Sequence, residues 1–270
     1  MDLGCGSISV AVIASTSKEQ MQSMKSVKEQ VIVLTGAGGG LGTNLTAYLL
    51  EQGFRKLALV GRGRIEGLSE LLMRADLDPQ KHIFQAELAD ESQVATLRVS
   101  IEEKLGSVAG LINLAGASTN GLSWKLSKEE FLKIIEDNLI STFVCCKEFV
   151  PGMRERSEGR IINISSVVAS TGVAGASHYS AAKAAIIGFS KSLSLELSVK
   201  KITVNTISLG YFQHGLIDLV SEDLQSAIKE KIPLKRFGTA AEIGGALEFL
   251  LSPQGAYTTG QDLHINGGLY

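Results

Sequence analysis

Gln30-Val31-Ile32-Val33-Leu34-Thr35-Gly36-Ala37-Gly38-Gly39-Gly40-Leu41-Gly42 decides the fold. The run before Thr35 is apolar and largely β-branched, which reads as a buried strand. After the glycines, Leu41, Leu45, Leu49 and Leu50 recur at helical spacing until Gly53 stops the pattern. A glycine turn between a strand and a helix lets the backbone approach a pyrophosphate, and the helix N-terminus then faces the anion. The flanking strand and helix separate this reading from that of a merely flexible turn.

The alternation continues outward from there. Apolar strand-like runs stand at 56–61, 83–84, 109–114, 160–164, 202–207 and 261–265. Helical spacing of apolar residues appears at 68–75, 94–105, 131–153, 179–197 and 240–251. Strands that are continuously apolar are covered on both faces. The expected fold is therefore α/β, a doubly wound parallel sheet of the Rossmann type, forming a single domain over 27–270. Residues 1–26 read as a flexible N-terminal extension. Their apolar run at 8–14 is short, and Asp2 with no Lys or Arg before Lys18 does not suit a signal peptide.

The 270 residues are 44% hydrophobic, with 29 Gly and only 4 Pro, which supplies a core and many tight turns. A net charge of −2 offers no electrostatic case for a nucleic-acid partner. No stretch reaches the roughly 20 apolar residues that span a bilayer, so no membrane role is expected. The cysteine count is 3, and the adjacent Cys145 and Cys146 sit in an apolar helical stretch as buried thiols. No spacing suggests a metal, and a cytoplasmic setting is expected.

The second strand ends in Val60-Gly61-Arg62-Gly63-Arg64. An acid at this place bonds a ribose hydroxyl, whereas an Arg pairs with a 2′-phosphate. The expected cofactor is NADP(H), with Arg62 as phosphate clamp and Arg64 as helper.

Tyr179 and Lys183 stand four residues apart, one helical turn, and Ser166 lies thirteen residues before Tyr179. A Tyr hydroxyl titrates near 10 and must fall by about 3 units to exchange protons near neutrality. The Lys183 ammonium is expected to lower it. Ser166, following the fifth strand, is placed to hold a substrate oxygen. Asn138, an amide among Ile134, Ile135, Leu139 and Ile140, needs a partner.

These residues carry a resemblance. From about residue 28 to 270 the chain resembles the short-chain dehydrogenase/reductase family. The matching motifs are the TGAGGGLG turn, Asn113-Leu114-Ala115-Gly116, Asn138, Ser166 and Tyr179-Ser180-Ala181-Ala182-Lys183. The 232–238 segment, Glu242-Ile243 and Thr259-Gly260-Gln261 also resemble the family's C-terminal third. The resemblance implies that Asn138, Ser166, Tyr179 and Lys183 form the catalytic centre, with Asn138 holding a water that relays protons to Lys183. It implies a cofactor cradle of Thr35, Gly36, Gly38, Gly39, Gly40, Leu41, Gly42 and Arg62, with Glu87 and Leu88 near the adenine. Asn113, Ala115 and Gly116 would follow on the adenosine side. Tyr179 and Lys183 would meet the nicotinamide ribose, and Gly210 and His214 would complete the cradle. The nearest subgroup by resemblance is the 3-oxoacyl-(acyl-carrier-protein) reductases of fatty acid biosynthesis. That implies a small-molecule or carrier-protein-linked substrate and a homotetramer. Differences fall at Leu114 for Asn, Glu87 for Asp, Leu209 for Pro, His214 for Thr and Asn266 for Asp, and no basic residue stands at Gly39.

Other residues admit two readings. His178 is expected at the rim of the site, and His82 and His264 at the surface or in strands. Trp124 either covers substrate or packs. Residues 213–231 have the polarity of a lid that excludes water. Arg154, Arg156, Lys200 and Lys201 either attract an acidic carrier or are scattered surface bases. The rival functions are a dehydrogenase of another small alcohol, such as a steroid or polyol, and a cofactor-binding regulator with little activity.

Overall fold

Along the first strand, β1 (Val31–Thr35), side chains alternate between two cores: Ile32 and Leu34 join one, Val31 and Val33 the other. Burial on both faces is the physical reason the strands read as unbroken apolar runs. This computed structural model describes residues 27–63 and 65–270. The expectations for 1–26 and for Arg64 lie outside the described residues.

In chain order, β1 leads to α1 (Gly40–Glu51), β2 (Leu57–Gly61), α2 (Glu66–Arg74), the short α3 (Pro79–His82) and β3 (Ile83–Gln85). Then come α4 (Glu91–Leu105), β4 (Val108–Asn113), α5 (Lys128–Ile135), a π-turn (Glu136–Ile140) and α6 (Ser141–Arg156). They are followed by β5 (Gly159–Ser166), α7 (Val168–Thr171), α8 (Ser177–Leu197) and β6 (Ile202–Leu209). A 3-10 turn (Leu216–Leu219), α9 (Glu222–Lys231), α10 (Ala240–Leu251) and β7 (Asp262–Ile265) end the chain. All seven strands pair in parallel in the order β3-β2-β1-β4-β5-β6-β7. Leucines of α1, α2 and α10 cover one face, and apolar residues of α4, α6 and α8 cover the other. The strand order reverses between β1 and β4, and a crevice at that switch point is where open α/β sheets bind ligands.

Local sequence accounts for most boundaries. Asp90 starts α4 by accepting from the Ser92 and Gln93 amides. Ser127 and Glu130 form a reciprocal cap on α5, and at the start of α10 the Glu242 carboxylate accepts from the Thr239 amide and hydroxyl. The helix expected over 131–153 differs in one respect. It runs from Lys128 to Arg156 and contains the π-turn, where the Ser141 amide reaches back to the Glu136 carbonyl. Ser166 closes β5 rather than following it.

Two histidines depart from expectation. His82 is buried, not superficial, with Nδ1 2.8 Å from the Leu57 carbonyl oxygen, and burial lowers its pKa. His178 is also fully buried rather than at the rim. Its Nε2 lies 3.0 Å from Thr119 Oγ1, because the loop after β4 folds over the start of α8. Trp124 is 79% exposed and packs little. Cys145 and Cys146 are buried free thiols, and burial pushes Cys146 up to about 12 and Cys145 higher still.

Candidate active site

Gly36 sits just past β1 with φ +72°, and a Cβ on it would meet the Ala115 backbone at 2.8 Å. A side chain at Gly42 would overlap the Gly36 carbonyl. These two positions pull the turn between β1 and α1 against the loop after β4. Thr35 joins the two: its Oγ1 accepts from the Ala115 amide at 3.1 Å and donates to the Ile112 carbonyl at 3.4 Å. No side chain caps α1, since Gly39 precedes it, which leaves its first-turn amides without a side-chain acceptor. Gly40 lies under the Gly215 amide, where a Cβ would come within 2.7 Å, so the loop bearing His214 rests on the glycine turn. His214 itself is exposed in a left-handed conformation, φ +67°. Gly210 packs against Asn266, its amide donating to the Ile265 carbonyl at 2.8 Å.

The proton-transfer candidates come together beside this turn. Tyr179 and Lys183 lie one turn apart on α8, and Lys183 Nζ is 5.6 Å from the centre of the Tyr179 ring. Nζ donates to the Ile164 carbonyl at 3.0 Å, which anchors it under β5. Ser166, at the end of β5, has its hydroxyl close enough to Tyr179 to favour the phenolate, and it accepts from the Val168 amide at 3.4 Å. The π-turn aims Asn138 inward. Its Nδ2 donates to the Ala117 and Ile134 carbonyls at 2.8 and 2.9 Å, while its buried Oδ1 has no protein partner. That oxygen and Lys183 Nζ converge on Gly116, where a Cβ would stand 2.5 Å from one and 3.2 Å from the other. An orphan buried acceptor beside an ammonium suits a water or ligand hydroxyl.

The electrostatics correct one expectation. In the protein alone Tyr179 is not made more acidic: burial pushes it up to about 12, outweighing the Ser166 hydrogen bond, and nearby Tyr211 raises it further. Burial also lowers Lys183 to about 8. Low polarity disfavours both charged forms, so the phenol keeps its proton.

The remaining cradle residues separate into two groups. Gly38 faces Gly61 at the end of β2, so Arg62 lies close to the glycine turn. Arg62 Nη1 is 3.3 Å from Glu87 Oε2 and 3.2 Å from Asp137 Oδ1. Leu88 is buried behind Glu87. Asn113 turns elsewhere: its Nδ2 donates to Asn163 Oδ1 at 2.8 Å, and Asn163 donates to Ser190 Oγ at 2.8 Å, inside the layer between the sheet and α8. Sequence reading did not find Asp137, His178 as a buried residue, or the contact of Gly215 with Gly40. The adjacent Asp-Asn pair in an apolar helix was the available signal for the first.

The family model described as enoyl-(acyl carrier protein) reductase matches residues 36–270. The chain belongs to the short-chain dehydrogenase/reductase family. It is 38% identical to nodulation protein G of Rhizobium sp. strain N33, over 88% of this chain and 95% of that one. It is 35% identical to a 3-oxoacyl-(acyl-carrier-protein) reductase of Vibrio cholerae, over 89% of this chain and 97% of that one. A Staphylococcus aureus protein of the same name is 32% identical over 92% of this chain and its own full length. As a short-chain dehydrogenase/reductase, this protein is an oxidoreductase of a family that uses nicotinamide dinucleotides. Among the described residues no helix is long and apolar enough to cross a membrane.

Proposed function

We propose that this protein is an NADPH-dependent carbonyl reductase whose substrate is a 3-oxoacyl thioester, free or linked to a carrier protein. The observation that carries the reading is the meeting of Tyr179, Ser166, Lys183 and the orphan oxygen of Asn138 at the carboxyl ends of β4 and β5, beside the switch point. The cradle fits a dinucleotide, because only glycine is tolerated at 36 and 42 and the α1 amides have no side-chain cap. The backbone of Gly36 to Gly42 would hold the pyrophosphate, Arg62 a 2′-phosphate, and Tyr179 and Lys183 the nicotinamide ribose.

When bound, the reduced nicotinamide supplies the hydride. Ser166 holds the substrate carbonyl oxygen, and the Tyr179 phenol donates the proton that this oxygen needs. Burial, which pushes the phenol up to about 12, keeps its proton in place near neutrality, and the positive charge of Lys183 must offset that burial for the proton to be given up readily. Lys183 and a water on Asn138 Oδ1 return the proton to Tyr179. The 3-10 turn and α9, with Leu216, Leu219 and Leu224 exposed, act as the lid over the substrate. The homotetramer implied by the family resemblance has a candidate face on α6 and α8, where Phe143 and Leu195 are exposed. Two buried free thiols suit a reducing cytoplasm.

Two experiments test this reading. Turnover of 3-oxoacyl thioesters, 2-enoyl thioesters and free ketones is followed by NADPH absorbance, and the 3-oxoacyl thioesters are expected to turn over fastest. Fast turnover of a free ketone with inert thioesters overturns the substrate assignment in favour of another small-alcohol dehydrogenase. For the cofactor, Arg62→Ala is expected to weaken NADPH binding by about tenfold or more, the scale of a lost charge-assisted bond, while NADH binding holds. Equal affinity for both cofactors in the unmodified protein contradicts the 2′-phosphate role.

A further inference from the structure

Arg62 is already held by carboxylates. Its Nη1 pairs with Glu87 at the end of β3 and with Asp137 on the π-turn, at 3.3 and 3.2 Å. The two acids differ in kind. The Glu87 side chain is 40% exposed and free to turn into water, whereas that of Asp137 is 8% exposed. Among the described residues the Asp137 carboxylate has two partners, Arg62 and Lys133, the latter at 3.1 Å. Lys133 is shared with Glu136 at 3.3 Å. Two cations therefore face three carboxylates, and the cluster has no positive charge to spare for an incoming dianion.

The backbone keeps Asp137 there. The π-turn inserts an extra residue into the helical ladder and sends the neighbours Asp137 and Asn138 to different sites. Asn138 points to Lys183 and Gly116, and Asp137 to the end of β2. Asp137 cannot follow a swinging Arg62 as an exposed glutamate can.

We propose that Asp137 is a specificity-determining residue: a fixed carboxylate latch on Arg62 that competes with the 2′-phosphate of a dinucleotide and lowers the preference for phosphorylated over unphosphorylated adenosine. This inference rests on the 2′-phosphate reading of Arg62. A bound 2′-phosphate must take the place of Asp137 at the guanidinium and also meet its charge. An unphosphorylated ribose requires neither.

The test is equilibrium binding to the full-length protein, by calorimetry, of adenosine 2′,5′-bisphosphate and of adenosine 5′-monophosphate. Asp137→Asn keeps the shape and removes the charge. It is expected to tighten the bisphosphate by about three- to tenfold, the scale of a partly screened ion pair, and to leave the monophosphate unchanged. The gain should shrink as salt rises from 0.05 to 0.5 M, vanish when Arg62→Ala is added, and be absent from Asp137→Glu. Glu87→Gln should shift the ratio the same way by less, which keeps the test open if the π-turn tolerates no change. A change of both ligands alike, or of neither, overturns the latch. Failure of the underlying reading looks different: in the unmodified protein Arg62→Ala then leaves the ratio of the two ligands as it was. If Asp137→Asn still creates an Arg62-dependent preference in that case, the latch stands and the native preference is for the unphosphorylated cofactor. If it does not, the latch falls too.

Discussion

Tyr179→Phe is expected to lower turnover by about a thousandfold, within the range that a positioned proton donor contributes. Dinucleotide affinity should change by no more than about threefold, because the ring and its packing remain. The removed hydroxyl is the one beside Ser166, and the neighbouring groups replace it poorly: Lys183 is tied to the Ile164 carbonyl, Ser166 is a far weaker acid, and burial raises the Tyr211 phenol. Single-turnover rates from NADPH absorbance, with dinucleotide binding measured separately by fluorescence, separate the chemical step from the cradle. If the variant keeps more than about a tenth of the rate, protons reach the substrate by another path and Tyr179 is a positioning group. If the rate falls while a biological effect of the protein persists, its work is binding rather than turnover.

The fold was readable because its determinants are local and repeated. Each strand is buried on both faces, so its apolar run survives as a plain signal, and the reversal at β1 and β4 follows from right-handed crossovers on a parallel sheet. The glycine turn was readable for a different reason: Gly36 and Gly42 face backbone of other segments, and a Cβ has no room there. What did not show was anything set by distant segments or by burial. The π-turn depends on Asn138 finding the Ala117 carbonyl, a partner 21 residues away. The fate of Asn113 depends on Asn163, its register partner on β5. His178 has a polar partner only because the loop bearing Thr119 folds back over α8. The upward shift of Tyr179 in the protein alone does not show in the sequence, because spacing reports proximity to a cation and says nothing of desolvation, which acts on both residues.

That same desolvation makes Lys183 a cost to the fold. Its pKa is about 8 in the folded protein against 10.5 ordinarily. Above about pH 10.5 both states are neutral and no penalty applies. Between 10.5 and 8 the unfolded chain binds more protons than the folded one, so stability falls as pH falls through this window. Below 8 both states carry the proton and the folded protein bears the whole penalty, about 3 kcal/mol at most by linkage. Lys183→Met keeps the length of the side chain and removes the charge. At pH 7 it is expected to be more stable than the unmodified protein by about 1–2 kcal/mol after the loss of the bond to Ile164, a rise of several degrees in Tm. The advantage should fade between pH 8 and 10.5, and reductase activity should be lost throughout. Thermal unfolding of both proteins across that pH range, taken as a difference so that other titrations cancel, reads the effect directly. A variant that is less stable at pH 7, with a difference that does not move with pH, would show that the ammonium is solvated or paired in the free protein. The strain would then not be stored at the catalytic lysine. If the expected pattern holds, the group placed to replenish the Tyr179 proton is also the group that destabilises the resting fold, a cost that binding of a ribose hydroxyl and a water at Asn138 would relieve.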